Sequence, residues 1–137
     1  MKKDVTIQEA LIYVMVIMSA ADSNMTDSEL ASMGDIVKAL PVFKGYNEDD
    51  IISAAQRCGL VLQEPNGLDS VLTLIADTLP SKLYDTAYAV AVDVAAADLN
   101  LRQEELRLLQ MLRDRFELDK LTIAAIERGA QARFRTV

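Results

Sequence analysis

Two stretches of the chain present carboxylates at a spacing suited to holding a cation. In the first, Asp22 is followed by Asn24, Met25 and Glu29; in the second, Asp98 is followed by Asn100, Leu101 and Glu105. In a twelve-residue calcium loop, position 5 supplies an oxygen ligand, position 7 a backbone carbonyl and position 12 a bidentate glutamate, with an aliphatic residue at position 8. Asp22, Asn24, Met25 and Glu29 fit those four positions, as do Asp98, Asn100, Leu101 and Glu105. Positions 1 and 3 fall on Met18 and Ala20, or on Val94 and Ala96, which carry no side-chain oxygen. Ser23 and Leu99 stand where the loop would have glycine. Each stretch is therefore at most half a calcium loop. Two halves related by a pseudo-two-fold axis would gather Asp22, Glu29, Asp98 and Glu105 into one cluster. Its mutual repulsion calls for a cation or bound protons, and an all-oxygen donor set favours Ca²⁺, Mg²⁺ or Mn²⁺.

The same residues also have a structural use. Thr26 with Glu29 forms a capping box, and Asn100 with Gln103 can make a comparable cap. Asp22 and Asp98 can close the turns that follow their helices. Spacing alone leaves both readings open.

The elements that would position these residues are helices, and they come in two similar sets. Sliding the sequence on itself by 76 residues lays 20–30 over 96–106, with six of eleven positions identical. The apolar phase continues outward, with Val14 over Val90, Met18 over Val94, Met33 over Leu109 and Ile36 over Leu112. The punctuation predicts a well-buried first helix from Ile7 to Ala21 and a second from Thr26 to about Leu40, stopped by Pro41. Asn47 should cap a third, with Glu48, Asp49 and Asp50 in its first turn and apolar residues continuing to Leu62. Pro65-Asn66-Gly67 breaks the chain before a fourth helix, from Leu68 to about Leu79. Pro80 opens a fifth over Ser81 to Ala97; a sixth runs from about Arg102 to Phe116; Asp119 caps a seventh, Lys120 to about Phe134. No segment alternates as a strand does. The expectation is an all-α, single compact domain over residues 1–137, with about seven helices in two repeated units, about 6–62 and 81–134.

Composition narrows the chemistry. The chain has 137 residues, 51% of them hydrophobic, 26% charged and only 5% aromatic, with no Trp. The absence of His removes Ser-His-Asp and Cys-His nucleophilic systems and most catalytic zinc sites. A single cysteine, Cys58, excludes an internal disulfide and reads as a small core residue. A net charge of −7 argues against nucleic acid as a partner and leaves cations open. Residues 1–101 hold 6 basic and 15 acidic side chains, whereas 102–137 hold 8 and 6, with Arg128, Arg133 and Arg135 near the end. Lys2, Lys3 and the apolar run from Ala10 to Ala21 imitate a secretory signal, but Asp4, Gln8 and Glu9 interrupt it. That run is too short to span a bilayer. Asp93, inside an apolar stretch, lies five residues before Asp98, about 140° around the helix, so the two do not share a face. A packing network with a Lys, Arg or Tyr is the expected role of Asp93.

An apolar, Ala-rich helix followed by Ala-Asp, an apolar residue three positions on and then Glu-Leu, present twice, resembles the tellurite-resistance TerB family. The likeness runs from Ile7 to about Ala132, and Pro41-Val42-Phe43 resembles that family's connector. It implies an all-helical, duplicated domain of bacterial stress-response systems, cytoplasmic or peripheral to the inner membrane, with no enzymatic activity. It implies divalent metal held by acidic residues of the two connectors, here Asp22, Glu29, Asp98 and Glu105. Such a protein would act through protein partners, in a membrane-associated complex but without membrane insertion. A metal-free protein–protein interaction module, with connectors that are only caps, and a metal-dependent hydrolase are the alternatives from other classes.

Overall fold

The most apolar run of the chain becomes the centre of the molecule. In a computed structural model that describes residues 5–19, 25–97 and 103–137, this run is helix α1, Ile7–Ser19. Ten consecutive side chains, Ala10 to Ser19, are buried. A helix can bury every side only if neighbours surround it, and α1 packs against five others. These are α2 (Asp27–Ala39), α3 (Ile51–Leu62), α4 (Gly67–Thr78), α5 (Tyr84–Ala97) and α6 (Gln103–Phe116). The last helix, α7 (Lys120–Arg133), lies against α5. The architecture is all-α, with seven helices and no strand among the described residues.

Helix starts follow the expected chemistry with two displacements. Thr26 and Asp119 accept the Glu29 and Thr122 amides as N-caps, at 3.1 and 3.0 Å. The third helix does not begin at Glu48: Glu48–Asp50 form a single 3₁₀ turn, and α3 starts at Ile51. Asn47 caps that turn instead, its Oδ1 accepting the Asp49 amide at 2.9 Å. Asp50 sits at φ −84°, ψ −5°, in the bridge region where i→i+3 bonding displaces the α pattern. Likewise Ser81–Leu83 form a 3₁₀ turn after Pro80, the Leu83 amide donating to the Pro80 carbonyl at 2.9 Å, and α5 begins at Tyr84.

Tertiary contacts fix the connections around α1. The Gln8 amide reaches back to the Val42 and Lys44 carbonyls, 3.2 Å each, and pins the segment after α2. Between α3 and α4, Asn66 takes left-handed φ 58° and Gly67 backs onto the preceding helix end. A Cβ at Gly67 would lie 2.4 Å from the Leu62 carbonyl oxygen, so only glycine fits there. Cys58 is fully buried on α3, and burial pushes its thiol up to about 12, as an inert core residue requires.

Candidate functional site

Of the four carboxylates singled out by sequence, Glu29 and Glu105 are described; Asp22 and Asp98, with Asn24 and Asn100, lie outside the described residues. Both glutamates occupy the first turn of a helix that follows a connector, Glu29 on α2 and Glu105 on α6. There the unpaired amides and the helix dipole favour an anion.

The two glutamates differ in environment. Glu29 is half-buried and completes the capping box, its Oε1 accepting the Thr26 amide at 2.8 Å. The capping role therefore holds for Thr26 and Glu29, and it uses one carboxylate oxygen; the second makes no hydrogen bond among the described residues. Glu105 is 2% exposed and is engaged by a neighbour. Burying a carboxylate costs several kcal/mol unless partners compensate, on the order of 2–7 kcal/mol for an uncompensated polar group. The neighbour that engages Glu105 offsets that cost.

One described residue next to each connector lines a common cavity, whereas Glu29 and Glu105 themselves do not line it. Met25, which follows residues 20–24, and Glu104, which follows 98–102, line the same cleft of about 610 Å³. Its apolar wall comes from α1, α3, α4 and α6, including Val16, Ile17, Leu62 and Leu108. Gln63 and Arg107 add polar groups. Among the described residues no three acidic or thiol side chains form a metal-holding cluster. Four carboxylates, if brought together, would offer a hard, all-oxygen donor set, which suits a divalent cation of the calcium or magnesium kind and not a soft one.

Two part-buried polar networks were not visible in the sequence. Arg57 of α3 pairs with Glu9 of α1, and Tyr13 joins them. Burial works against the Glu9 charge, but hydrogen bonds from Thr6 and Arg57 outweigh it and hold its carboxyl below the usual range. On the opposite side, Tyr88 of α5 donates to Glu127 of α7 at 2.5 Å. Arg113 of α6 donates to both, at 3.1 and 3.0 Å. Partners 48 and 39 residues apart leave no local pattern, so no spacing rule finds them. Asp93 does take the role its position required: its Oδ1 accepts from Arg133 of α7 at 2.5 Å.

One further acidic residue and three methionines have a structural place. Glu48 pairs with Lys38 across the α2–α3 connection at 3.3 Å. Met15, Met18 and Met33 are buried in the apolar core.

A family model described as tellurite resistance protein TerB matches residues 8–128. Neither the curated proteins nor the solved structures give a match to the chain.

Proposed function

The chain belongs to the TerB family, and from that premise we propose that it is a non-enzymatic stress-response protein that binds one divalent cation between its connectors. Asp22, Glu29, Asp98 and Glu105 would hold the ion; bound, it would neutralise the cluster and tie two connectors of one acidic domain together. The observation that carries this reading is the shared cleft: Met25 and Glu104, each beside one connector, line the same cavity. Glu29 and Glu105 also stand at matching positions, each in the first turn of the helix after its connector, and supply the carboxylate oxygens such an ion takes.

We take residues 1–137 as one domain of two repeated units, about 6–62 and 81–134. Shared burial of Val14 and Val90, of Met18 and Val94, and of Met33 and Leu109 supports that reading. The protein would be cytoplasmic or peripheral to the inner membrane and act through protein partners, without nucleic acid. No described helix is long and apolar enough to cross a membrane.

Calorimetric titration of metal-stripped protein with Ca²⁺, Mg²⁺ and Mn²⁺ tests the cation site. The expected result is saturable binding near one ion per chain, lost in Asp22→Asn/Asp98→Asn. A folded wild type that binds none of the three ions overturns the cation reading and leaves the connectors as caps.

A further inference from the structure

Helices α6 and α7 both pack on α5, and the arginine–glutamate pair Arg113–Glu127 ties them together near their connecting turn. Beyond that tie a groove of about 840 Å³ runs between them. Its floor is Val92, Ala95 and Ala96 of α5, and its walls carry Leu106 of α6 and Phe134 after α7. Leu106 is 46% exposed, a large apolar side chain left in water at the groove edge.

The described charges on this groove are mainly basic, three arginines against one glutamate. Among the described residues Glu127 is its only acidic lining residue, and Arg113 and Tyr88 already engage that carboxylate. Arg107 and Arg135 also line it, both exposed, and neither forms an ion pair among the described residues. Two uncompensated guanidinium groups therefore flank an apolar floor, in a chain whose net charge is −7. Arginine forks match carboxylates in geometry, and helix-lined apolar grooves take the apolar face of an amphipathic helix.

We propose that this groove docks an acidic amphipathic helix of a partner protein. Apolar anchors at i, i+3, i+4 and i+7 would lie on Val92, Ala96, Leu106 and Phe134. Asp or Glu on the flanks of that apolar face would pair with Arg107 and Arg135. The groove adjoins the C-terminal end of α5 and the N-terminal end of α6, which bound the second connector, so partner and cation would meet the same segment. The inference rests on the partner half of the functional reading and does not require the cation.

The test is selection from a displayed library of 14-residue helices, apolar at i, i+3, i+4 and i+7 and fully randomised elsewhere. Selection runs against the wild-type chain and the Arg107→Glu/Arg135→Glu variant, with Ca²⁺ and with EDTA. Both substitutions are at exposed positions, and an unchanged helical spectrum and Tm verify the fold. Arg107 also lines the connector cleft, so selection runs in parallel against the single Arg135→Glu variant. Expected is enrichment of Asp and Glu beside the apolar anchors for the wild type. The best selected peptide should bind at least tenfold more weakly to the variant, by fluorescence anisotropy.

No acidic enrichment, or equal affinity for the variant, overturns the proposal. So does finding that vesicles of phosphatidylglycerol, or a second copy of the chain in sedimentation, occupies the groove in preference to every selected peptide. Peptide binding that persists in EDTA keeps the groove even if the cation site fails. Cation binding without acidic peptides keeps the cation site and removes only the groove.

Discussion

The two central helices, α1 and α5, are both apolar on most sides, yet the molecule uses them differently. Helix α1 is wrapped by five neighbours, and its only acidic residue, Glu9, sits in the first turn, paired to Arg57. Helix α5 packs against α1, α2, α6 and α7. It carries Tyr88 and Asp93, which anchor α7, and Val92, Ala95 and Ala96, which floor the open groove. The difference teaches that an apolar run declares burial without declaring by what. One run is sealed inside the chain's own helices; the other ends in a strip that a second molecule can cover.

Matched truncations measure that contrast most directly. Val14 on α1 is fully buried, and Val92 on α5 is 6% exposed at the groove floor. Val→Ala removes two methylene equivalents, about 1.6 kcal/mol of transfer free energy at either position. At Val14 the sealed surroundings add a cavity penalty, so Val14→Ala should cost about 3 kcal/mol in urea unfolding. At Val92 water can enter the space left, and the cost should stay near 1.5 kcal/mol. Equal losses would mean that the α5 strip is as closed as α1, and the contrast would fall.

Tyr88→Phe sharpens the same contrast at the polar end of α5. The substitution removes the hydroxyl that Glu127 accepts and Arg113 donates to, and leaves those two paired with each other. A loss of about 1.5 kcal/mol is expected, since one hydrogen-bonded partner disappears but no charge is orphaned. The pH dependence carries a clearer signature. Burial, then the hydrogen bond to Glu127, pushes the Tyr88 hydroxyl up from 10.0 to about 12. A raised folded-state value means that the stability linked to this proton is complete below about pH 10 and disappears as pH rises towards 12. Cys58 loses stability on its own from 9.0 towards about 12, so the parent and the variant are compared point by point. Chemical denaturation across that range should show the gap between them closing as the parent's tyrosine ionises. A constant gap would place the Tyr88 proton outside the stabilising network.

Much of this arrangement was legible in the residues. Thr26 and Asp119 announce helix starts because capping is local: an oxygen reaches an amide two or three residues away. Asp93 announces a partner because a carboxylate among Val and Ala, partly withdrawn from water, gains by pairing. The structure leaves it at the edge of the core, 24% exposed. The starts of α3 and α5 were displaced by one 3₁₀ turn, since Asp50 in the bridge region and Pro80 before Ser81 decide the pattern only through exact backbone angles. The candidate cation site is a sequence pattern, Glu29 and Glu105 each seven residues after an Asp, and its two aspartates lie outside the described residues. The burial of Glu105 was not legible, because it depends on what packs over the first turn of α6. The groove between α6 and α7 was invisible for the same reason: Arg107 and Arg135 are 28 positions apart and meet only across packed helices.

The smallest effect separates what fastens α7 from what shapes the groove. Asp93 and Arg133 join α5 to α7 through side chains that are 24% and 56% exposed. Water and salt weaken such a pair, so Asp93→Asn should cost about 0.5 kcal/mol and less at high ionic strength. Asp93 does not line the groove, so acidic-peptide affinity should also be unchanged. If Asp93→Asn instead destabilises more than Tyr88→Phe, the charge pair and not the Tyr88–Glu127–Arg113 network fastens α7. The groove walls would then be held mainly by a contact that salt can loosen. Peptide affinity would fall with ionic strength even where the peptide's own carboxylates were replaced by amides, a dependence that paired arginines on a firmly anchored α7 do not produce.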